Sequence, residues 1–492
     1  MRRLGITALA CLTLQASTYW PGAQWRTAQP ESQGLDSLAL ASAVDQVLQK
    51  HLGVHSLLVI RHGHAVLDAY FYPYNSGVLH DLASVTKSIT SVLTGIAVGR
   101  ELVQTDQKLL SFFPKERPEH PDELKQKITV GNLLHMEAGL DCGYLPGEQE
   151  LEQMKRSPNW VQFALALPMK YEPGTHSAYC SPGYHLLGSV IARVAGQSEF
   201  AFARKNLFGP LGIRDVVWAD DPQGRSHGWG DSHLFPRDVA KIGYLYLHGG
   251  QWDGKQIVPA NWVAMATTPA TGERGAPGAL GIEWNASNGP NGRQYGGNGR
   301  GGQSLIVWPE LDTIVVITAG GNAGQIAPLI RQAVKSEAAL PANAEAFRQL
   351  QAKAAEAAKV PEPGAISPLP AIAATISGVR YQFPLNPSRL DSLLLTFGKE
   401  ARVDVKYLGE DLSFPLGLDG RYKLGPYGPL HLLAGAMGKW TPEGEFLLDL
   451  NFVAKINHYT LKLRFEGDRL EVDANEASGL IRNGHLTGQK GH

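Results

Sequence analysis

An abrupt change of pattern near residue 340 is the feature that most constrains what this chain can fold into. Residues 338–359 are rich in Ala with Glu, Gln and Lys, which favour a helix. Prolines at positions 361, 363, 368 and 370 follow, and they predict a stiff linker because proline cannot continue a helix. Beyond this linker the apolar residues recur with a period of two, as in strands. We therefore divide the chain into a first domain at 30–337, a helix and linker at 338–372, and an all-β domain at 373–492.

The β-domain contains one clear hairpin. Residues 461–465 and 470–473 alternate between apolar and polar, and Gly467 lies in the turn between them. Residues 393–397 and 401–407 also indicate strands. This domain carries no catalytic motif, and we expect a small barrel or a curved antiparallel sheet.

Charge and cysteine content exclude several classes of partner. The chain has 45 Lys+Arg and 46 Asp+Glu, so it has no basic field for nucleic acid and no polybasic membrane patch. Its three cysteines cannot form a disulfide framework, and no Cys-x-x-Cys pair suggests zinc. His62 and His64 flank a glycine between two strands, which is typical of a hairpin turn and not of a metal site. We predict no metal and no cofactor, and the sequence suggests no particular oligomeric state.

The N-terminal residues resemble a signal peptide. Arg2 and Arg3 precede a mostly apolar stretch, although Thr7 and Thr13 interrupt it and no Ala-x-Ala site follows. We assign residues 1–29 as a possible leader, which predicts a periplasmic or secreted protein; the alternative is a frayed N-terminus on a cytoplasmic one. Elsewhere the chain lacks the ~18 consecutive apolar residues that a membrane span needs. It is therefore not expected to be an integral membrane protein.

Ser84 and Lys87 form the Ser-x-x-Lys motif of the chain. The motif begins an apolar stretch at 89–98 that predicts a buried helix. On a helix, side chains three residues apart share a face, so Lys87 can reach the Ser84 hydroxyl. A buried lysine loses proton affinity and can act as a base, while a helix N-terminus favours a developing oxyanion. A serine that begins a helix is nevertheless often only an N-cap, so the motif alone leaves both interpretations open.

Two other motifs have the wrong surroundings for their chemistry. Residues 224–228 match Gly-x-Ser-x-Gly, but the nucleophile elbow of α/β-hydrolases needs a strand before it and a helix after it. Here Asp and Pro precede the motif, and Gly-Trp-Gly follows, which indicates a loop. Residues 297–302 match Gly-x-Gly-x-x-Gly, but an apolar strand follows where a dinucleotide fold needs a helix. We reject both.

Three ordered segments together resemble the β-lactamase-related serine hydrolases. They are residues 82–88 with the Ser-x-x-Lys motif, Tyr179-Cys180-Ser181 with the apolar helix after it, and the glycine-rich stretch 295–303 that runs into an apolar strand. The resemblance spans about residues 30–337. That superfamily includes class C β-lactamases, D-alanyl-D-alanine carboxypeptidases, family VIII carboxylesterases and relatives of 6-aminohexanoate-dimer hydrolase.

The resemblance implies an α+β fold and a set of site residues. The expected fold is β-lactamase/transpeptidase-like, with an antiparallel sheet flanked by helices and a helical lobe near 100–235, to which the C-terminal all-β domain is added. By the same resemblance, Ser84 is the acylated nucleophile, Lys87 is its base or proton relay, and Tyr179 passes the proton to the leaving group. The resemblance further implies that the Ser84 N–H and one backbone N–H near residues 300–303 bind the oxyanion. The candidate substrate-binding and oxyanion residues are Ser181, Trp229, Gly299, Arg300 and Gly301.

Two departures from the family pattern bear on the substrate. Ser181 stands where Asn is common, and Gly297 stands where Lys or His usually begins the third motif. Both changes remove groups that would hold an acyl amide or a carboxylate, although Arg300 is a candidate replacement for the missing cation. We therefore expect a serine hydrolase acting on small, uncharged ester or amide substrates, with esterase activity first. The alternatives are a β-lactamase or a D-amino-acid or oligoamide hydrolase, and, from another class, a catalytically weak ligand-binding or cell-envelope protein. Cys142 is considered as a rival nucleophile, but no motif in the sequence supplies a partner for it.

Overall fold

The computed structural model of the chain describes residues 19–491 apart from 117, 119–121, 144–147, 270–281, 283, 290–291, 322, 387 and 480. The strands of the first domain are β1 (Arg26–Thr27), β2 (Val54–Arg61), β3 (His64–Tyr70), β4 (His80–Asp81), β5 (Val217–Trp218), β6 (Ser232–Leu234), β7 (Gln251–Trp252), β8 (Lys255–Gln256), β9 (Ser287–Gly289), β10 (Gly292–Gly299), β11 (Gln303–Trp308) and β12 (Thr313–Ala319).

The helices alternate with these strands and continue beyond them. They are α1 (Ser37–Lys50), α2 (Val85–Gly99), α3 (Glu123–Lys127), α4 (Val130–Leu134), α5 (Gln149–Arg156), α6 (Trp160–Ala166), α7 (Ser181–Ala195), α8 (Glu199–Ala203), α9 (Pro236–Leu247), α10 (Ala260–Ala266), α11 (Ile326–Ala333), α12 (Ala344–Ala358) and α13 (Ala371–Ile376). In the described part of the chain, no helix is both long enough and apolar enough to span a bilayer.

The main sheet of the first domain has the order β1-β3-β2-β12-β11-β10-β9 and is antiparallel except for the pairing of β1 with β3. β2 is buried along its whole length because helices cover both faces of the sheet. Leu57 and Val59 face the side of α1 and α11, whereas Leu58 and Ile60 face the core that contains α2 and α9. The predicted α+β fold is therefore confirmed.

Two segments that were assigned outside the first domain pack on it. Residues 1–18 of the possible leader lie outside the described residues, but residues 19–29 hold Trp25, which is only 7% exposed in the main core. Helix α12 lies in the segment predicted as helix and linker. Its Leu350 is buried against α1, and Lys353 Nζ lies 2.7 Å from Asp45 of that helix.

The C-terminal domain is all β, as predicted, and closes into a barrel. Its sheet has the order β16-β15-β14-β13-β22-β21-β20-β19-β18-β17, and β16 pairs back onto β18 to close a nine-stranded barrel. The predicted hairpin is β20 and β21, joined at Gly467 and Asp468. The strands are β13 (Arg380–Gln382), β14 (Leu390–Thr396), β15 (Arg402–Tyr407), β16 (Glu410–Gly417), β17 (Lys423–Tyr427), β18 (Leu432–Trp440), β19 (Phe446–Asn451), β20 (His458–Glu466), β21 (Arg469–Glu476) and β22 (Gly484–Lys490).

The loop between β19 and β20 docks the barrel on the first domain. We call this segment, residues 452–457, the docking loop. The Ala454 carbonyl accepts a hydrogen bond of 2.9 Å from the Asp81 N–H, and Val453 and Ile456 are 0% and 1% exposed. Beside the loop, the Tyr74 hydroxyl donates to Asn451 Oδ1 over 3.0 Å. The docking loop therefore meets the first domain three residues before Ser84.

Candidate active site

Ser84 lies at the tip of a tight turn between β4 and α2. Ala83, directly before it, has a φ of 45°, a conformation that is unfavourable for a residue with a side chain. Its N–H donates to Asp81 Oδ1 over 2.7 Å, which holds the turn in place. Ser84 is the N-cap residue of α2, yet its side chain makes no capping hydrogen bond to the helix. The hydroxyl is therefore free of the helix backbone and bonds to other side chains, which favours the nucleophile interpretation.

The Ser84 hydroxyl is the meeting point of the three predicted catalytic side chains. Lys87 Nζ donates to Ser84 Oγ over 3.0 Å, and the Tyr179 hydroxyl donates to the same oxygen over 2.6 Å. Lys87 Nζ also lies 4.7 Å from the centre of the Tyr179 ring. A nucleophile within hydrogen-bond reach of two groups that can carry its proton is the arrangement required for attack by a serine oxygen.

Lys87 is also hydrogen-bonded to the loop that carries Trp229. The lysine is 0% exposed, and its Nζ donates to the Trp229 carbonyl over 2.9 Å. The half-buried Trp229 ring stacks on His227, with 5.4 Å between the ring centres. Trp229 was predicted as a substrate-binding residue. The structure does bring Trp229 close to Ser84 and Lys87, but its contact with Lys87 is made by the backbone carbonyl.

The Tyr179 segment is fixed by a disulfide bond. Cys180, the residue after Tyr179, is bonded to Cys142, with 5.3 Å between the Cα atoms. Sequence reasoning gave Cys142 no partner because two cysteines 38 residues apart match no motif. The pairing removes Cys142 as a rival nucleophile. Ser181, a candidate substrate-binding residue, is only 2% exposed, and its Oγ lacks a hydrogen-bond partner among the described residues.

Strand β10 runs along the start of α2 and leaves no room for side chains there. A Cβ at Gly297 would lie 2.6 Å from Ser88 Oγ, and one at Gly299 would lie 3.0 Å from the Ala83 Cβ. The position that commonly carries Lys or His is therefore closed by contact with the helix, and Gly299 lies directly against the nucleophile turn. This contact places Gly299, at the end of β10, against the turn that carries Ser84, while the backbone oxyanion donor expected near residues 300–303 stays a prediction.

Arg300 and Gly301 turn toward the barrel. Arg300 Nη1 donates to Ser478 Oγ over 2.7 Å and lies 4.0 Å from Glu476. This differs from the expectation that Arg300 replaces the missing substrate-facing cation. The barrel supplies hydrogen-bonding and charged partners for Arg300 that the first-domain sequence alone does not indicate. Gly301 has a φ of 76°, and a Cβ there would lie 2.3 Å from Ile456 of the docking loop.

A charged network that sequence reasoning missed links the docking loop to the two loops around Ser84. Lys455 Nζ lies 3.6 Å from Asp231 Oδ1, and Asp231 Oδ2 is 2.8 Å from His227 Nδ1. Burial alone would raise the pKa of Asp231, but the Lys455 ammonium and the His227 hydrogen bond hold it well below its usual range. Burial acts against the charged form of Lys455, yet Asp231 and Asp81 raise its pKa. No motif marks Lys455, and only the docking of the barrel reveals its position.

A second missed group, Glu199, lies beneath the Trp229 loop. It is 0% exposed, and burial raises the pKa of its carboxyl to about 8. Thr90 Oγ1 lies 2.8 Å from both Glu199 Oε1 and the Gly228 carbonyl oxygen. A hydroxyl has only one hydrogen, so both contacts are hydrogen bonds only if the carboxyl carries a proton and donates it to Thr90. The geometry and the raised pKa therefore agree on a protonated Glu199.

Histidines form pairs in the structure but no ligand cluster. His55 Nδ1 lies 2.7 Å from His80 Nε2, and the His64 Nδ1 is 2.9 Å from the His62 carbonyl oxygen. Within the described residues, no group of three or more His, Cys, Asp or Glu side chains is placed to hold a metal ion.

The order of the three segments and their convergence on Ser84 agree with comparison to known proteins. A sequence model of the beta-lactamase family matches residues 40–338. The chain belongs to the beta-lactamase family. It is therefore a serine hydrolase of that family, with a C-terminal barrel outside the matched range.

Relatives within the beta-lactamase family include hydrolases of different bonds. The chain is 24% identical over 284 residues to the 6-aminohexanoate-dimer hydrolase of Paenarthrobacter ureafaciens, covering 53% of this chain and 71% of that protein. It is 28% identical over 191 residues to the lovastatin esterase of Penicillium rubens, covering 34% of this chain and 46% of the esterase.

Solved structures show the same fold. A Bacillus anthracis protein described as a 6-aminohexanoate-dimer hydrolase has a TM-score of 0.51 at 18% identity, covering 69% of this chain and 89% of that one. EstCE1, a hydrolase with promiscuous acyltransferase activity, has a TM-score of 0.50 at 17% identity, covering 61% of this chain and 99% of that one.

Proposed function

We propose that this member of the beta-lactamase family hydrolyses small, uncharged esters through an acyl-enzyme on Ser84. The observation that carries the proposal is the convergence of Lys87 Nζ and the Tyr179 hydroxyl on Ser84 Oγ, at 3.0 and 2.6 Å. The absence of a side chain at Gly297 and the burial of Ser181 support esters over anionic peptides or β-lactams. The named activity of the lovastatin esterase relative agrees with this choice.

The reaction divides into acylation and deacylation. In acylation, the neutral Lys87 amine accepts the Ser84 proton while Ser84 Oγ bonds to the ester carbonyl carbon, and the negative charge gathers on the carbonyl oxygen. When the C–O bond of the ester breaks, Tyr179 gives its proton to the leaving alkoxide and recovers one from Lys87. In deacylation, a water molecule gives a proton to the Lys87–Tyr179 pair and attacks the acyl carbon. The bond between that carbon and Ser84 Oγ then breaks, and Ser84 Oγ takes a proton back from the pair. The products are one carboxylic acid and one alcohol.

Hydrolysis of a short oligoamide is the second candidate. It is favoured by the match to the 6-aminohexanoate-dimer hydrolase, which covers 71% of that protein. The leaving group of an amide is an amine, which needs the same proton from Tyr179 as the alcohol of an ester does. The proposed catalytic groups therefore do not distinguish the two substrates. The distinction rests on the surroundings of the acyl group, where Ser181 in place of the common Asn removes a group that would hold an acyl amide and so favours the ester.

We also propose that the protein is exported to the periplasm or secreted. The Cys142–Cys180 disulfide supports this proposal because such bonds persist mainly in oxidising compartments. Fractionation of cells that express the full chain tests it. Recovery of the protein in the cytoplasm with both thiols reduced would contradict export.

A fluorophosphonate probe and three chromogenic substrates test the activity. The full-length protein is given a p-nitrophenyl ester, a 6-aminohexanoate p-nitroanilide and a chromogenic cephalosporin, and Ser84→Ala is compared with Ser226→Ala from the rejected Gly-x-Ser-x-Gly motif. We expect fastest turnover of the ester, a loss of at least about a thousandfold and of labelling in Ser84→Ala, and little change in Ser226→Ala. Labelling that survives Ser84→Ala would place the nucleophile elsewhere, and faster cephalosporin turnover would refute the substrate assignment. If the wild type shows no labelling and no turnover of any substrate, the result would favour a ligand-binding protein.

A further inference from the structure

The docking loop contacts two backbone segments that meet beside the nucleophile. One is the nucleophile turn, where the Ala454 carbonyl accepts the Asp81 N–H over 2.9 Å. The other is the turn of residues 300–302 that joins β10 to β11, where Ile456 packs on Gly301. We call this second segment the β10–β11 turn. The two contacting residues of the docking loop lie two positions apart, so the loop sets the spacing of the two turns.

The contact between Ile456 and the β10–β11 turn is close because Gly301 has no side chain. Ile456 Cγ2 is the nearest atom to the place that a Cβ of Gly301 would occupy, at 2.3 Å. The Ile456 side chain is 1% exposed, so this methyl group is enclosed between the loop and the turn. The Ile456 carbonyl oxygen lies equally close to Gly320, where a Cβ would be 2.7 Å from it. Ile456 is therefore fixed against the first domain by both its side chain and its backbone.

The first domain also holds the β10–β11 turn, but by hydrogen bonds. The Gly321 N–H donates to the Gly301 carbonyl over 3.0 Å. The Gln303 side chain binds the backbone of Ala319 at both ends, since its Oε1 accepts the Ala319 N–H over 3.1 Å and its Nε2 donates to the Ala319 carbonyl. The turn thus has polar supports from β12 and the residues after it, and an apolar support from the barrel.

The docking loop is bonded within itself and to the barrel. The Lys455 N–H donates to the Phe452 carbonyl over 2.6 Å, and the Phe452 N–H donates to the Asn457 carbonyl over 3.0 Å. Asn457 Nδ2 in turn donates to Glu476 Oε1 over 3.2 Å, which ties the loop to β21. A loop with its backbone groups bonded in this way needs no rearrangement when a reaction takes place beside it. It can therefore transmit the position of the barrel to the two turns.

The spacing of the two turns matters for the chemistry expected between them. Gly299 already lies against the nucleophile turn, because a Cβ there would be 2.8 Å from the Leu82 carbonyl oxygen. The expected oxyanion donors are the Ser84 N–H in one turn and a backbone N–H near residues 300–303 in the other. Such donors stabilise the developing charge only when both are correctly aimed, and a displacement of about 1 Å can lower the rate about a hundredfold.

We propose that Ile456 is a positioning residue, which holds the β10–β11 turn at the distance from the nucleophile turn at which the oxyanion is bound. The proposal rests on the proposed acyl-enzyme at Ser84 and gives the barrel a part in its formation. Ile456 acts through Gly301 and the backbone N–H groups beside it. Docking of the barrel then contributes to the rate of acyl transfer and not to the binding of the substrate.

Two substitutions of Ile456 in the full-length protein separate the contact from the bulk of the side chain. Ile456→Val keeps the Cγ2 methyl and loses only Cδ1, whereas Ile456→Leu keeps the size but lacks Cγ2. With p-nitrophenyl butyrate, we expect Ile456→Leu to lower kcat at least about tenfold with KM within about twofold, and to slow fluorophosphonate labelling of Ser84 equally. Ile456→Val should keep both rates within about threefold. The matched control Ile330→Leu, at a buried position of α11 in the core on the other face of the main sheet, should match the wild type.

A third variant and an exchange measurement keep the outcome clear. Ile456→Ala also lacks Cγ2 and should show the same loss of kcat, which covers the case in which Ile456→Leu fails to fold. Equal kcat values in the Val variant and the variants without Cγ2 would overturn the inference while leaving Ser84-dependent hydrolysis intact. If the wild type shows neither turnover nor labelling, the proposed function fails instead. Hydrogen–deuterium exchange of residues 296–305 then decides the positioning role: faster exchange in Ile456→Leu or Ile456→Ala than in Ile456→Val supports it, and equal exchange refutes it.

Discussion

Replacing Glu199 by Gln tests whether the buried carboxyl beneath the Trp229 loop carries a proton. The substitution keeps the shape of the side chain but removes its ability to ionise. Burial raises the pKa of Glu199 from 4.5 to about 8. At about 1.4 kcal/mol for each pKa unit, the shift amounts to about 5 kcal/mol between the two protonation states.

The sign of the pH dependence follows from the raised pKa. The contribution of a protonated Glu199 is fully present below pH 4.5 and is lost as the pH rises to about 8. The wild type should therefore lose up to about 5 kcal/mol of unfolding free energy over that window relative to Glu199→Gln. Ionisation also places a negative charge near the Gly228 carbonyl, so kcat should fall over the same range in the wild type alone.

Denaturant unfolding followed by tryptophan fluorescence, at about pH 5 and about pH 8.5, measures the difference. Glu362→Gln, at an exposed position in the linker, is the control and should keep the wild-type profile. Superimposable pH profiles of the wild type and Glu199→Gln would show that Glu199 is not held protonated. The hydrogen-bond assignment through Thr90 would then be wrong as well.

Three further substitutions probe the supports of the site. Lys455→Met leaves Asp231 and Asp81 without their cation and should lower kcat about tenfold with little change in KM, whereas Lys455→Arg should restore it; equal kcat values for Met and Arg would refute the positioning role. Gly297→Ala should lower kcat/KM by at least about tenfold because its Cβ would press on Ser88, and Gly398→Ala, where nothing lies within 4 Å, is the matched control; normal activity in Gly297→Ala would mean that β10 moves freely from α2. Cys142→Ala opens a link across 38 residues and should lower stability by about 4 kcal/mol, seen as a lower Tm; a reducing agent should lower the Tm of the wild type only, and an unchanged wild-type Tm would show that the bond contributes nothing.

The local fold was predictable where the sequence pattern is local. The period-two residues of β20 and β21 and the apolar stretch of α2 depend on neighbours within a few residues, so their elements follow from periodicity. The helix at 344–358 was also predictable, but its packing on α1 was not, because Ala-rich helices show little preference for a particular surface. The closure of the barrel through β16 and β18 depends on a pairing of distant residues that no local pattern contains.

The residues of the site likewise divide into those that a local motif marks and those that only long-range packing brings together. Ser84 and Lys87 are recognisable because they are three residues apart on one helix, and the family resemblance added Tyr179. Lys455 and Glu199 are single ionisable residues without a motif, and their importance comes from burial against distant loops. The partner of Arg300 could not be predicted either, since Ser478 lies in a domain that carries no catalytic signal.

The docking loop has a consequence for the order in which the enzyme matures. The chain emerges from the ribosome N-terminus first, so Ser84, Lys87 and Tyr179 are synthesised long before Lys455. Until the β19–β20 hairpin is complete, Asp231 lacks the ammonium that lies 3.6 Å from it in the finished protein. A nascent or truncated chain therefore carries Ser84, Lys87 and Tyr179 without the ammonium that faces Asp231, and we expect its hydrolysis to be slower than that of the finished protein until the last domain has folded onto the first.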